Sequence, residues 1–203
     1  MSFTSSAQYN NSWIDYTQRY YKIPVSQSGV YRIDYNHLQS IGFPTSTVDP
    51  RWISIYHRGI EQAIIVTGQQ DANFDLGDYI EFYGTKNDGT LDKQLYVTPE
   101  TQPHNHYNLY SDTTAYFLTW TTGVNGKRMA TYKSNNVDGL IPEDYQVENR
   151  VLINTEQYAT GYSYGDYIQF TDFDIGEGWS GIALQEGQFI DYGFSSISNT
   201  VVG

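Results

Sequence analysis

The stretch that decides the fold is GQQDANFDLGDYIEFYG, residues 68–84. Its first half is an acidic loop, and residues 79–83 that follow alternate polar and apolar positions. Such alternation is typical of a half-buried strand. The preceding segment, EQAIIVT at 61–67, contains a continuous apolar run and predicts a strand buried on both faces. Residues 68–84 therefore predict a long hairpin connection between two strands.

The acidic loop is also a candidate cation site. Four oxygen-bearing side chains fall close together in it: Asp71, Asn73, Asp75 and Asp78. Hard cations such as Ca²⁺ bind oxygen ligands of this kind. The spacing is not that of an EF-hand, because the sixth position counted from Asp71 is Leu76 instead of glycine. Two interpretations stay open: a looser calcium loop completed by backbone carbonyls, or a hairpin loop whose Asp and Asn side chains bond their own backbone.

Outside this stretch, short alternating segments separated by turn residues indicate an all-β chain. The clearest are residues 52–57 and 115–120. Residues 13–25 predict a first strand, which we expect to form a hairpin with residues 30–33 across an SQSG turn. Residues 127–132 predict a strand returning after an Asn-Gly turn. The expected fold is an antiparallel β-sandwich, jelly-roll-like, with one short helix.

That helix is expected at residues 36–41. Asp34 stands ahead of it in the N-cap position, and Gly42 follows its last turn. Leu38 and Ile41 are three residues apart, so both would lie on one helix face and pack against a sheet.

The chain is expected to have three parts. Residues 1–12 are rich in Ser and Asn and predict a flexible lead, and residues 13–140 predict the sandwich domain. Residues 141–203 are less periodic and predict a linker followed by the start of a second β segment. Because the final residues have the pattern of an interrupted strand, we expect the natural polypeptide to continue past Gly203.

Composition argues against several classes of function. The formal net charge of -12 argues against a nucleic-acid partner, because binding phosphates requires a basic patch. The absence of cysteine excludes disulfides, thiolate metal sites and a cysteine nucleophile within this chain. No apolar run approaches the about 18 to 20 residues of a membrane span. The twenty tyrosines suit strands with solvated outer faces, and we expect an extracellular or outer cell-surface location.

Several short motifs occur in an order that resembles one family. They are YKIPV at 21–25, GVYRI at 29–33, DPR at 49–51, FDLGDYIEFYG at 74–84, YFLT at 116–119, GKR at 126–128 and GEGW at 176–179. Together they resemble the N-terminal all-β region of large exported proteins that carry a gingipain-type cysteine peptidase domain. This group includes the PorU-like sortases of the type IX secretion system. The resemblance implies a non-catalytic N-terminal part of a multi-domain surface protein, with the catalytic Cys and His in a downstream domain.

The leading functional hypothesis is therefore a non-catalytic structural or interaction module. Its partners would be downstream domains of the same chain, or a cell-surface protein or polysaccharide, and calcium is the one cofactor considered. A carbohydrate-binding module is an alternative, because aromatic side chains stack on pyranose rings. An inhibitory pro-domain covering a peptidase cleft is another. Two weaker candidate sites are also considered. One is a metal site at His104 and His106, and the other is a set of carboxylates for glycosidase chemistry at Asp172, Asp174 and Glu177.

Overall fold

The computed structural model describes residues 11–132, 139, 141, 151–161 and 172–193. The chain divides into two compact units, Met1–Asp88 with Tyr110–Tyr132, and Gly89–Leu109 with Lys133–Gly203. Residues 89–109 lie inside the predicted 13–140 domain but belong to the second unit. Residues 1–10 of the expected flexible lead, and residues 194–203 of the expected interrupted strand, lie outside the described residues. The predicted domain boundaries stay a prediction.

The described residues of the first unit form antiparallel sheets. The strands are β1 (Tyr21–Val25), β2 (Gly29–Asp34), β3 (Ile53–His57), β4 (Ile60–Gln62), β5 (Ile65–Val66), β6 (Tyr79–Gly84) and β7 (Thr114–Trp120). One sheet has the order β1-β7-β3-β4, and the other has the order β2-β6-β5. This confirms the all-β prediction, while the jelly-roll arrangement stays a prediction.

Side chains from both sheets share one hydrophobic core. Val25 and Leu118 enter it from the first sheet, and Ile80 enters it from the second. Tyr116 of β7 and Phe82 of β6 meet in this core, with ring centroids 5.1 Å apart. In β6 the buried Ile80 and Phe82 alternate with less buried residues, and the two sheets bury their inner faces against each other as a sandwich does.

The one α-helix in the described residues, α1 (Tyr35–Ser40), confirms the expected short helix. The Asp34 carboxylate accepts a hydrogen bond from the His37 backbone N–H at 2.8 Å, as an N-cap does. Leu38 is fully buried in the core, but Ile41 is 43% exposed at the helix end. Only one of the two apolar residues expected to pack therefore does so.

The predicted hairpin between the first two strands is wrong. Residues 13–20 contain no strand, and β1 begins only at Tyr21. β1 pairs with β7 over five residue pairs, whereas β2 pairs with β6 over six residue pairs in the other sheet. The SQSG segment thus carries the chain between sheets. A turn leads to a hairpin only when the two strands that flank it pair with each other. Here each strand instead forms a long ladder with a strand that is distant in sequence.

Two further strand predictions need correction. The segment 61–67 is not one strand, because β4 joins the first sheet and β5 joins the second. Ile64 between them is fully buried, but Ile65 is 42% exposed, so burial on both faces is also wrong. The returning strand at 127–132 is reduced to a single parallel bridge between Ile64 and Arg128. The chain crosses between sheets at Ile64, so that bridge does not extend into a ladder.

The described part of the second unit contains two short strands, β8 (Gln157–Ala159) and β9 (Gly178–Ser180), which pair antiparallel. 3₁₀-helices span Gly89–Leu95 and Pro99–Thr101. Tyr96 makes an isolated bridge with Phe173, and their rings lie 5.5 Å apart. Among the described residues of the whole chain, no helix has both the length and the apolar character needed to cross a membrane.

Candidate functional site

The acidic loop ahead of β6 is closed by its own hydrogen bonds. The Asp71 carboxylate accepts from the Asn73 backbone N–H at 3.0 Å, and the Asn73 side-chain amide donates to the Asp71 carbonyl at 3.2 Å. The Asp78 carboxylate accepts from the Asp75 backbone N–H at 2.8 Å. The first contact is an Asx turn and the other two also bond side chains to nearby backbone, which corresponds to the second of the two interpretations of this loop.

The loop also closes tightly over Gly68. This residue has a φ of +77°, and a Cβ there would overlap the Asn73 carbonyl and lie 2.5 Å from an Asp78 carboxylate oxygen. Only glycine fits that approach without displacing the loop.

The predicted hairpin connection is confirmed, because Val66 of β5 pairs with Ile80 of β6.

The predicted calcium ligands are arranged as two local pairs. Asp71 lies with Asn73, and Asp75 lies with Asp78, each pair joined through backbone hydrogen bonds. Asp71, Asn73 and Asp75 are exposed, whereas Asp78 is half-buried against Gly68. Across the ranges that the structure describes, no group of three or more His, Cys, Asp or Glu side chains is placed to hold a metal ion. The calcium site stays a prediction.

A cavity of about 300 Å³ lies beside this loop, within the first unit. Its wall combines Tyr35 of α1, Trp52 ahead of β3 and the segment 45–49, and the acidic loop contributes Asn73 and Asp75. Two of the four predicted ligands therefore line the cavity, and Asp71 and Asp78 do not. Sequence reasoning missed this site. Its one local signal is the run Thr45-Ser46-Thr47 ahead of Asp49, and only the fold brings that run to the loop.

Asp49 is the buried charge of the cavity wall. It caps a 3₁₀-helix, Pro50–Trp52, by accepting from the Arg51 backbone N–H at 2.9 Å. The Arg51 guanidinium Nε reaches the two Asp49 carboxylate oxygens at 2.9 and 3.0 Å. These hydrogen bonds hold the pKa of Asp49 below its ordinary value, although burial opposes the shift. Asp49 is therefore a fixed carboxylate near neutral pH.

The two weaker candidate sites lie in the second unit. The His106 backbone N–H donates to His104 Nδ1 at 3.3 Å, so one ring nitrogen of the pair is already engaged. Burial lowers the pKa of His104. Glu177 accepts from the Asp174 backbone N–H at 2.8 Å and from the Tyr158 hydroxyl at 2.7 Å. One carboxylate oxygen of Glu177 thus closes its own turn, and the other binds Tyr158 of β8.

Comparisons with known proteins add no relative. No protein-family model matches the chain, and neither a curated protein nor a solved structure matches it. The resemblance to the N-terminal region of gingipain-type exported proteins therefore stays a prediction that rests on the motifs quoted above.

Proposed function

We propose that this chain is a non-catalytic structural and interaction module of a larger exported cell-surface or secreted protein. The observation that carries the proposal is a set of apolar side chains that the second unit leaves in solvent. These are Val151, Leu152, Ile153, Ile182, Leu184 and Phe189, and the last is 86% exposed. Contiguous exposed apolar surface is typical of sites that bind another protein surface.

All but Phe189 of these side chains lie on or next to two neighbouring segments. The Glu156 backbone N–H donates to the Ser180 carbonyl at 3.0 Å, and the Ile182 N–H donates to a Glu156 carboxylate oxygen at 3.2 Å. Gly181 lies beside Asn154. Residues 154–156 therefore lie beside residues 180–182, and the apolar side chains at 151–153, 182 and 184 are on or next to these two segments. We call these five exposed side chains and Phe189 the apolar patch.

The chemistry of the chain fits a supporting role. It contains no cysteine, so a cysteine nucleophile for a peptidase would belong to another part of a longer protein. The module would hold or present that neighbouring part, and the apolar patch would be covered by it.

Site-specific cross-linking in the natural full-length protein tests this proposal. A photo-reactive phenylalanine analogue replaces Phe189 in the apolar patch, and in a separate control replaces Tyr83 of β6, which is 54% exposed. We expect the probe at 189 to cross-link repeatedly to one segment of the same polypeptide or to one surface protein. Equal or absent cross-linking at the two positions would overturn the proposal.

A further inference from the structure

We propose that the cavity beside Trp52 is a binding site for a neutral pyranose sugar. The site lies wholly in the first unit and is separate from the apolar patch of the second unit. It would add a recognition function to the module, and it does not depend on whether the apolar patch binds a partner.

The size of the cavity limits the ligand. Its volume of about 300 Å³ is at the lower end of the roughly 300 to 1,000 Å³ found for small-molecule sites. A ligand of one or two rings fits this volume, and a folded protein segment does not. The cavity is therefore suited to the end of a glycan or to a short saccharide.

The lining has the two kinds of surface that a sugar ring needs. Tyr35 and Trp52 supply aromatic surface, whose electron-rich faces attract the C–H groups of a pyranose. Thr45, Asn73 and Asp75 supply a hydroxyl, an amide and a carboxylate that can bind sugar hydroxyls. A purely apolar ligand would displace water from these polar groups without replacing its hydrogen bonds, at a cost in free energy.

The walls are held in place before any ligand arrives. Tyr35 packs on Phe74 with ring centroids 6.2 Å apart, and its hydroxyl accepts from the Gln39 side chain at 2.6 Å. Asp49 is fixed by Arg51. Because these side chains are already ordered, binding loses less conformational entropy than it would in a mobile site.

Charge selects against acidic sugars. Asp49 is neutralised by Arg51, but Asp75 adds a second carboxylate to the lining, and the whole chain has a formal net charge of -12. A uronic acid would meet like charge here, whereas a neutral hexose would not.

The test uses the ¹H–¹⁵N spectrum of the 203-residue protein, whose four tryptophans give separate indole signals. Glucose, galactose, mannose, N-acetylglucosamine and cellobiose are titrated singly, with glucuronate as the charged comparison. We expect at least one neutral sugar to shift the Trp52 indole signal saturably, with a dissociation constant on the order of 1 mM because the ligand is small. The Trp120 signal, from a groove elsewhere in the first unit, should stay in place.

Two neighbouring substitutions locate the binding. Asp75→Ala removes a lining carboxylate and should weaken binding about tenfold. Leu76→Ala is the matched control, since Leu76 is 77% exposed and lies outside the lining. Binding should persist in EDTA. The proposal is overturned if no neutral sugar gives a saturable Trp52 shift, if both substitutions weaken binding equally, if EDTA abolishes binding, or if glucuronate binds more tightly than the neutral sugars.

Discussion

The guanidinium of Arg128 donates a hydrogen bond to the backbone carbonyl of Pro50 at 2.8 Å. It also donates to the carbonyls of Arg51 at 2.8 Å and Ile53 at 2.9 Å, and its Nε donates to the Gln69 side chain at 2.8 Å. Pro50 and Arg51 belong to the 3₁₀-helix Pro50–Trp52, and Ile53 begins β3, so one arginine binds carbonyls of both elements. The motifs at 49–51 and 126–128 are distant in sequence, and the hydrogen bonds of Arg128 hold them together.

Replacing Arg128 with lysine should destabilise the protein by about 2 kcal/mol, because an ammonium cannot reach several carbonyls in the planar fork of a guanidinium. The free energy of unfolding in urea measures this loss. Arg32→Lys is the control, since the Arg32 side chain is 58% exposed and pairs with Glu81 at 2.7 Å. Such an exposed pair contributes at most about 1 kcal/mol. Equal losses in the two variants would contradict the role given to Arg128.

Gly126→Ala should destabilise the protein by about 1 to 3 kcal/mol, the usual cost of overpacking. A Cβ at this position would overlap the Ile53 carbonyl and lie 2.7 Å from the Ser54 hydroxyl. Gly29→Ala is a matched control, because a Cβ there meets nothing within 4 Å. Thermal unfolding of the two variants makes the comparison. If Gly126→Ala were as stable as Gly29→Ala, the structure around position 126 would accommodate the added methyl group.

His57 should make stability depend on pH. Its ring stacks on Tyr116 at 4.1 Å, and burial lowers its pKa from 6.5 to about 4, with Arg58 adding to the shift and Asp88 opposing it. The unfolded chain therefore takes up this proton first as pH falls. The stabilisation by the neutral ring is complete above about pH 6.5 and is lost as pH falls towards 4.

A His57→Phe variant isolates this effect, because it keeps a ring against Tyr116 and cannot titrate. The decrease in Tm between pH 6.5 and 4 should be smaller in the variant than in the natural protein, by about 2 to 4 °C. A His37→Gln variant, which removes an exposed histidine of α1 and leaves His57 in place, is the control. Parallel Tm curves for the natural protein and His57→Phe would refute the assignment.

Trp13 should anchor residues 11–20 to the outer face of the first sheet. Its ring stacks on Tyr56 at 5.4 Å and lies 5.6 Å from Phe117. Trp13→Ala should therefore release the segment and accelerate trypsin cleavage after Arg19 several-fold. Tyr16→Ala, at a position 82% exposed, should leave the cleavage rate unchanged. An unchanged rate in Trp13→Ala would mean that other contacts hold the segment.

Local features were the ones that the sequence could predict. The N-cap at Asp34 and the alternating strands β3, β6 and β7 depend on neighbouring residues, so their positions follow from periodicity and turn chemistry. Strand partners depend on distant residues: Tyr21 of β1 pairs with Leu118, which no local pattern indicates. The cavity has the same origin, because Trp52 and Asp75 approach only after both sheets form. The acidic loop was ambiguous, since the same Asp and Asn residues serve a cation or a turn.

The crossing at Ile64 links the two sheets mechanically. The chain leaves β4 in one sheet and enters β5 in the other within a few residues, and Ile64 at the crossing is fully buried. Because this short connection joins the two sheets covalently, neither sheet can separate from the core unless Ile64 also leaves the core. The first unit should therefore open as a single cooperative foldon, in which the amides of β3 and β6 share one free energy of opening.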